Sequence, residues 1–486
     1  MSTLHGVGVY LAVDLGAESG RVLRGDLRDG RLTLREVHRF ANRPVSLPDG
    51  LHWDALRLFA DIGEGLAAAV AEPGGRSAAG VGIDAWGNDF ALLDRDGRLL
   101  GNPYHYRDRR TEASTAVVHR RAGPAELYRM TGIAPLPINT AGQLVAMEGS
   151  AQLVAAERLA MMPGLFGYWL TGRLVNDRTI ASTSQLFDVT ARTWSAAVIE
   201  RLGIPARLFA GGVTEPGTYI APLREHPGIP LWSVAGHDTA SAVAAVPAAG
   251  PAFGYVCAGT WSLVGLELGA PVLTDAARLA GFSNEVGVDG TIRFLRNGTG
   301  LWLLQRCRAA WGAVTYVDLV AAAAAAPAFA ALVDPDAPGF ADPADMPAAL
   351  AGFCRSTGQP VPAGRAALAR CVLDSLACRH RWALERAEVL AGRSVPVVHV
   401  VGGGAANPLL CQLTADLTGR PVLAGPVEAT AVGNLLVQAR AAGELASQAD
   451  LRAVVARSLP VRTYEPRADS GAEDAYARFL AVLDTA

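Results

Sequence analysis

The sequence contains no lysine; all 43 of its basic side chains are arginine. That absence excludes nucleotide-binding loops whose lysine reaches the β- and γ-phosphates, and it excludes protein kinases, which hold phosphate with a strand lysine. Enzymes that form a Schiff base through lysine, pyridoxal enzymes among them, fall for the same reason. Cysteine is also scarce. Cys257, Cys307, Cys354, Cys371, Cys378 and Cys411 lack the paired short spacing of a zinc site, and are expected to be reduced core residues of a cytoplasmic protein. Long apolar runs are missing as well. The stretch 7–13 is too short for a signal peptide or membrane helix, with no basic residues ahead of it, and the Ala-rich run 317–333 is broken by Asp318 and Pro327. Neither sign of charge dominates: the formal net charge is −3, which gives no footprint for nucleic acid or an anionic membrane. The expected partners are therefore small molecules.

What is present is enough for two cores. A chain of 486 residues, 50% apolar and 18% charged, exceeds the usual size of one domain. The Pro- and Gly-containing segment 247–251 is the best boundary. The expected division is 1–247, 248–465 and a helical tail over 466–486. Each large part opens on a strand-turn-strand segment: 9–26 around Asp14-Leu15-Gly16-Ala17-Glu18-Ser19-Gly20, and 254–267 around Ala258-Gly259-Thr260-Trp261-Ser262. The first continues as a meander with a third strand over 32–37. Helical periodicity at 53–72 and 152–172, a strand at 79–84, and a charged helix beginning at 107–110 follow. In the second half a helix over 300–311, a long helix over 363–392, a strand at 397–401 and a helix opening on Asn407-Pro408 repeat the alternation of sheet and helix. The pattern is α/β.

Tight Gly/Ser/Thr turns between strands expose N–H groups and hydroxyls, the equipment for holding phosphate. Two of them facing each other across a cleft suggest a nucleotide clamp, although each alone reads equally as an ordinary hairpin. Asp14, at the end of the first strand, is placed to hold hydrated Mg²⁺. Asp238, in His237-Asp238-Thr239 at a strand-to-helix junction, is either a helix N-cap or a general base for a substrate hydroxyl. Asp84 and Asp89 are its rivals, and Asp84 can equally pair with the arginines at 107–110. The glycines 402–404 precede a helix and would let adenosine approach the backbone, or simply allow close packing. Trp86 is a candidate for stacking on a sugar; Trp261 reads as structural.

Taken together, Gly82-Ile83-Asp84-Ala85-Trp86-Gly87-Asn88-Asp89-Phe90, Tyr106-Arg107-Asp108, His237-Asp238-Thr239-Ala240-Ser241-Ala242, Gly259-Thr260-Trp261-Ser262, Gly300-Leu301-Trp302-Leu303-Leu304-Gln305-Arg306 and Gly402-Gly403-Gly404 resemble the FGGY family of carbohydrate kinases. The resemblance runs in order from about residue 9 to about 460. Within the family it favours the members acting on L-rhamnulose over those acting on glycerol, xylulose or fuculose. It implies two ribonuclease-H-like domains of the actin-like ATPase type with an inter-domain nucleotide cleft. It implies phosphorylation of L-rhamnulose at O1 by ATP with Mg²⁺ in L-rhamnose breakdown, by a monomer or homodimer.

Residue by residue, the resemblance makes Asp238 the proton acceptor and Asp14 the magnesium-associated carboxylate. Ala17, Glu18, Ser19, Gly20 and Arg21 become the first phosphate turn, and Thr260, Gln305 and Gly403 the ATP contacts. Gly87, His237, Thr239 and Asn297 become the sugar contacts. Glu18 departs from a serine found in this turn in some relatives, which puts a hydroxyl contact to phosphate in question. Gly236 replaces a serine before His237, a change expected to be neutral. Cys354 and Cys371 match positions described as a cysteine pair, but a stable disulfide is not expected in a reducing compartment. The competing readings are a kinase for another ketose, an actin-like or chaperone-like ATPase module, and an inactive sugar sensor. The sensor would be marked by loss of Asp14 or Asp238, and both are present.

Overall fold

The computed structural model describes residues 8–312, 314–468 and 470–485. Of the apolar stretch 7–13, residue 7 lies outside the described residues. The chain forms two compact units that interleave in sequence. The first comprises 1–249, 267–294 and 429–459; the second comprises 250–266, 295–428 and 460–486.

The first unit is built on a six-stranded sheet in the order Tyr219–Pro222, Pro230–Trp232, Gly80–Ala85, Gly8–Leu15, Ser19–Arg28, Arg31–Ala41. Gly8–Leu15 runs antiparallel to Ser19–Arg28 and parallel to Gly80–Ala85. All of its residues are buried, so it reads as a continuous apolar run ending in Asp14-Leu15, the pattern of a strand covered on both faces. Helix Ala55–Ala71 starts where Asp54 accepts a bond from the Arg57 N–H, and it buries Leu58, Ile62, Leu66 and Ala69 at helical spacing. Helix Ala429–Ala441 packs against the central strands at glycines. A Cβ on Gly82 would sit 2.3 Å from Asn434 Oδ1, and one on Gly433 would sit 1.9 Å from the Ser241 carbonyl. Those contacts fix the helix that carries Asp238.

The second unit repeats the motif. Gly254–Ala258 is antiparallel to Trp261–Leu268 and parallel to Val398–Val401, which is parallel in turn to Val422–Ala424. In both units a central strand pairs with its own hairpin on one side and with a distant parallel strand on the other, as the repeated hairpins suggested. Helix Gly364–Ala391 runs through the core, burying Leu368, Val372, Leu376, Leu384 and their neighbours. Each such side chain contributes about 1.5–3 kcal/mol. That is enough to let the same helix carry the buried Arg370–Asp374 pair (2.7 Å) and His380 inside.

Two sequence expectations give way. The segment 152–172 is not one helix: Arg158–Met161 is a strand paired antiparallel with Phe90–Leu93, and a new helix, Met162–Thr171, starts with Pro163 in its first turn. The charged helix expected to begin at 107–110 starts later: a 3₁₀ turn, Arg109–Thr111, capped by Asp108, comes first, and helix Ser114–Ala122 follows. Among the described residues no helix is long and apolar enough to cross a membrane.

Candidate active site

In the first unit the turn between the opening strands is closed by the Gly16 N–H on the Ser19 carbonyl (3.0 Å). It is pinned from outside by buried Asn42, whose N–H donates to the Glu18 carbonyl and whose side chain donates to the Gly16 carbonyl (2.9 Å). Ala17 and Ser19 are half-buried, and Glu18 is exposed. Gly20 is packed so tightly on Phe40 that a Cβ would lie 2.2 Å from its ring. Arg21 stands opposite Asp14 in register and forms an ion pair with it.

Three carboxylates interact, two at the ends of neighbouring strands and one at the start of a helix. Asp14 is 3% exposed; Asp84, its partner in register on Gly80–Ala85, is fully buried. Asp84 accepts from Asn434 (2.6 Å) on helix Ala429–Ala441, not from any arginine of 107–110. Arg110 pairs instead with Asp108 and Gln143. Burial, reinforced by the charge of Asp14, pushes the Asp84 carboxyl well above the usual carboxylate range. The third carboxylate, Asp238, is the first residue of helix Asp238–Ala244, and its side chain is 29% exposed. It accepts from the Thr239 N–H (2.5 Å) and hydroxyl (3.0 Å). Burial raises its pKa; His237 and Thr239 act against that rise while Asp14 adds to it. Asp238 is therefore no N-cap, since it bonds only to its immediate neighbour and leaves Oδ2 open.

Asp89 drops out as a rival base. Its Oδ2 accepts from the Trp53 indole (2.6 Å), the Trp86 indole (3.0 Å) and the Tyr106 N–H (3.1 Å), and its Oδ1 accepts from Gln143 (2.8 Å). Burial pushes it up to about 6, but no lone pair faces a substrate. Trp86 goes with it: 4% exposed and packed on Trp53 with ring centroids 4.2 Å apart, it belongs to the core and is not a sugar platform.

The carboxylates fit a hydrated Mg²⁺. Asp84 Oδ1 is buried with no hydrogen-bond partner, and Asp14 and Asp238 both act on it electrostatically. The donors are all hard oxygens. Among the described residues, the only His/Cys/Asp/Glu group with ligand atoms all within 4.8 Å of one another is His38, Asp61 and Glu64, where Asp61 is already held by Arg57. The candidate carboxylates Asp14, Asp84 and Asp238 are thus more widely spread, a spacing that would suit an ion keeping much of its water.

His237 is the best-anchored residue of the site. Its N–H donates to Thr179 Oγ1 (3.1 Å), and its Nε2 lies 3.4 Å from Asp238 Oδ1. A Cβ on Gly87 would be 3.2 Å from that Nε2, so Gly87, His237 and Thr239 form one group. Gly236 is not neutral in this chain: a Cβ there would lie 2.0 Å from buried Asp177 Oδ2. The carboxylate that bonds Thr179 and the Gly236 N–H leaves no room for a serine.

The second unit carries Thr260, Gln305, Gly403 and Asn297. The Gly259 N–H closes its turn on the Trp261 carbonyl (2.8 Å), and the N–H groups of Gly300 and Leu301 bind the carbonyls of Thr260 (3.1 Å) and Gly259 (2.8 Å). Gly300 permits that approach, since a Cβ would sit 2.6 Å from the Gly259 oxygen. Gln305 Nε2 reaches Thr260 Oγ1 at 3.5 Å. Gly403 is exposed, with open space where a side chain would go. Asn297 lies half-buried on strand Ile292–Thr299, in the second unit, whereas the other three sugar candidates belong to the first. All six cysteines are free and buried. Cys354 and Cys371 are hydrogen-bonded thiols, which pushes Cys371 up and Cys354 down.

Sequence reasoning missed Asn434, Gln438, Glu285 and Arg293. Asn434 and Gln438 bond each other (2.7 Å), and Gln438 also reaches the Leu11 carbonyl (2.9 Å). Their i,i+4 spacing in an otherwise small and apolar helix was the available signal.

The N-terminal domain of the FGGY family of carbohydrate kinases matches residues 9–242, and the C-terminal domain matches 254–442. A rhamnulokinase of Bacteroides thetaiotaomicron is 42% identical over 479 residues, covering 97% of this chain and 98% of the relative. Rhamnulokinases of Pectobacterium carotovorum and Bacillus subtilis are 42% and 36% identical, over 97% and 94% of this chain and 96% of each relative. A gluconate kinase structure from Lactobacillus acidophilus superposes with a TM-score of 0.80 at 15% identity, covering 99% of this chain and 98% of the other. Plasmodium falciparum glycerol kinase with ADP gives 0.76 at 13%, covering 99% and 97%. At these identities the structures speak for the fold.

Proposed function

The chain belongs to the FGGY family of carbohydrate kinases, and on that premise we propose that it transfers the γ-phosphoryl group of MgATP to the 1-hydroxyl of L-rhamnulose, giving L-rhamnulose 1-phosphate and ADP in L-rhamnose breakdown. The observation that carries this reading is the near-complete alignment with rhamnulokinases at up to 42% identity. In it, 1–247 handles the sugar and offers the first phosphate turn, 248–465 handles adenosine, and 466–486 is a helical tail. A cytoplasmic location suits an ATP-consuming protein with six reduced thiols.

Asp238 is the proton acceptor. It combines partial exposure, an open Oδ2 and a raised pKa that makes it a better base than an ordinary aspartate. Phosphoryl transfer passes through a loose, charge-spread transition state, so Asp238 chiefly orients the hydroxyl and takes its proton late. Gly87, His237, Thr239 and Asn297 hold the ketose. Turn residues 17–21 offer N–H groups, the Ser19 hydroxyl and the Arg21 guanidinium to phosphate, while Thr260, Gln305 and Gly403 receive the nucleotide. Asp14 and Asp84 would hold Mg²⁺, which when bound would supply neutralisation of the phosphate charge.

The test is sugar-dependent ADP release with MgATP across L-rhamnulose, L-fuculose, L-ribulose, L-xylulose, D-xylulose and glycerol. The expected result is strong preference for L-rhamnulose, with Asp238→Ala losing about 10²–10⁴-fold in kcat at little cost in sugar binding. Turnover of a different ketose alone keeps the mechanism and replaces the substrate. Turnover of none, or near-normal kcat in Asp238→Ala, rejects the reading.

A further inference from the structure

We propose that Glu285 and Arg293 are positioning residues that fix the tautomer of His237, keeping its proton on Nε2 where the site needs a hydrogen-bond donor. Arg293 is completely buried and Glu285 nearly so. Arg293 Nη2 lies 2.9 Å from Glu285 Oε2 and 3.0 Å from His237 Nδ1, and its Nε and Nη2 also reach the Val286 carbonyl at 3.4 Å. A guanidinium has only hydrogens to offer. The Nδ1 atom that receives one must present a lone pair, so the ring proton resides on Nε2. That atom lies 3.4 Å from Asp238 Oδ1, and a Cβ added to Gly87 would come within 3.2 Å of it.

Glu285 has two effects. It neutralises the buried cation, without which Arg293 would be very costly to bury. It also stands 3.2 Å from His237 Nδ1, ready to accept from Nδ1–H if the arginine were absent. Arg293 therefore decides between two states of one ring: Nε2–H with Nδ1 accepting from Arg293, or Nδ1–H donated to Glu285 with Nε2 turned into an acceptor or the whole ring cationic. Only the first gives a neutral Nε2–H donor beside the carboxylate that orients the sugar hydroxyl. The charged and titratable groups around the ring are Asp238 on its own element and Glu285 and Arg293 on strands Phe282–Val286 and Ile292–Thr299.

The kinetic part rests on the reading that this site takes L-rhamnulose; the tautomer part does not. The experiment is ¹⁵N NMR of protein labelled at histidine, at pH 7.5, with the His237 ring assigned by its loss in His237→Gln. Wild type is expected to show a neutral ring protonated on Nε2. Arg293→Met is expected to move the proton to Nδ1 or to give a cationic ring, and to raise KM for L-rhamnulose by about tenfold or more, the scale on which an unsatisfied polar contact discriminates, with KM for ATP unchanged. Arg293→Lys, which keeps a permanent donor, is expected to restore the Nε2–H form in part. A wild-type ring protonated on Nδ1 overturns the proposal, even if Arg293→Met fails to fold. So does an Arg293→Met protein that keeps the Nε2–H ring and an unchanged sugar KM, because the pair would then serve only the fold. If wild type phosphorylates no ketose, the substrate reading fails while the tautomer result still stands or falls by itself.

Discussion

Gly403 and Gly404 are neighbours after the strand Val398–Val401, yet they set opposite limits on a side chain. A Cβ on Gly404 would lie 2.3 Å from the Ala258 Cβ and 3.1 Å from its carbonyl, so this glycine serves the packing of the turn on the central strand. Gly403 meets nothing within 4 Å, so no demand of the fold accounts for it. If it clears the path of a nucleotide, Gly403→Val leaves the melting temperature close to wild type and raises KM for ATP by about tenfold or more. Gly404→Ala instead destabilises by about 1–3 kcal/mol through overpacking. Thermal melts and ATP titrations of the two variants separate the roles; a normal ATP KM in Gly403→Val removes Gly403 from the nucleotide site. At this scale the sequence was informative where chemistry and chain order coincide, as in His237-Asp238-Thr239. It marked Asn434, 350 residues from the Asp84 it binds, only by its i,i+4 spacing with Gln438, and it was silent on Arg293, 56 residues from His237. Nothing local names the partner of a buried polar residue when that partner arrives from a remote element.

Elements were legible in proportion to their length and periodicity. Helix Gly364–Ala391 lay within one residue of its expected bounds, because a long pattern ending at Gly392 in the left-handed conformation leaves little choice. The stretch 152–172 misled because a four-residue strand inside an apolar run has the same composition as a buried helix turn. The long helix also carries His380, which bridges Thr414 (3.1 Å) and Ser262 on the second hairpin (3.3 Å). Burial pushes its pKa down to about 4 from the ordinary 6.5. The unfolded chain therefore binds a proton in a window where the folded unit does not. The resulting stability is present above about pH 6.5 and is lost as the pH falls toward 4, on the order of 3 kcal/mol across the window. His380→Gln should be less stable than wild type at pH 7.5 but should lose less stability between pH 6.5 and 4.5. Parallel acid-induced losses in the two proteins, followed by thermal denaturation, would sink this assignment.

For the whole molecule, a reading along the chain divides the protein near 247–251 and sets off a tail at 466, while the family matches end at 242 and begin again at 254. The compact units interleave: 267–294 and 429–459 return to the first. Such returns leave no mark in composition or turn chemistry, since helix Ala429–Ala441 is as small and apolar as helix Pro408–Thr418 of the second unit. The repeated hairpins, by contrast, were visible because each carries its own turn residues. The interleaving makes the proposed division of labour testable by ligand-dependent hydrogen exchange. Nearly all proposed sugar contacts, with Arg293 and Glu285 behind them, belong to the first unit, whereas Thr260, Gln305 and Gly403 belong to the second. L-rhamnulose alone should slow exchange in peptides spanning 82–88 and 236–240. ADP alone should slow 258–261, 301–305 and 402–405. A non-hydrolysable ATP analogue should add protection at 16–20, because only a ligand with a γ-phosphate needs the first turn. Protection by ADP confined to 236–240, or by sugar confined to 402–405, would reverse the assignment. Equal protection of 16–20 by ADP and the ATP analogue would move the first turn from the γ-phosphate to the inner phosphates.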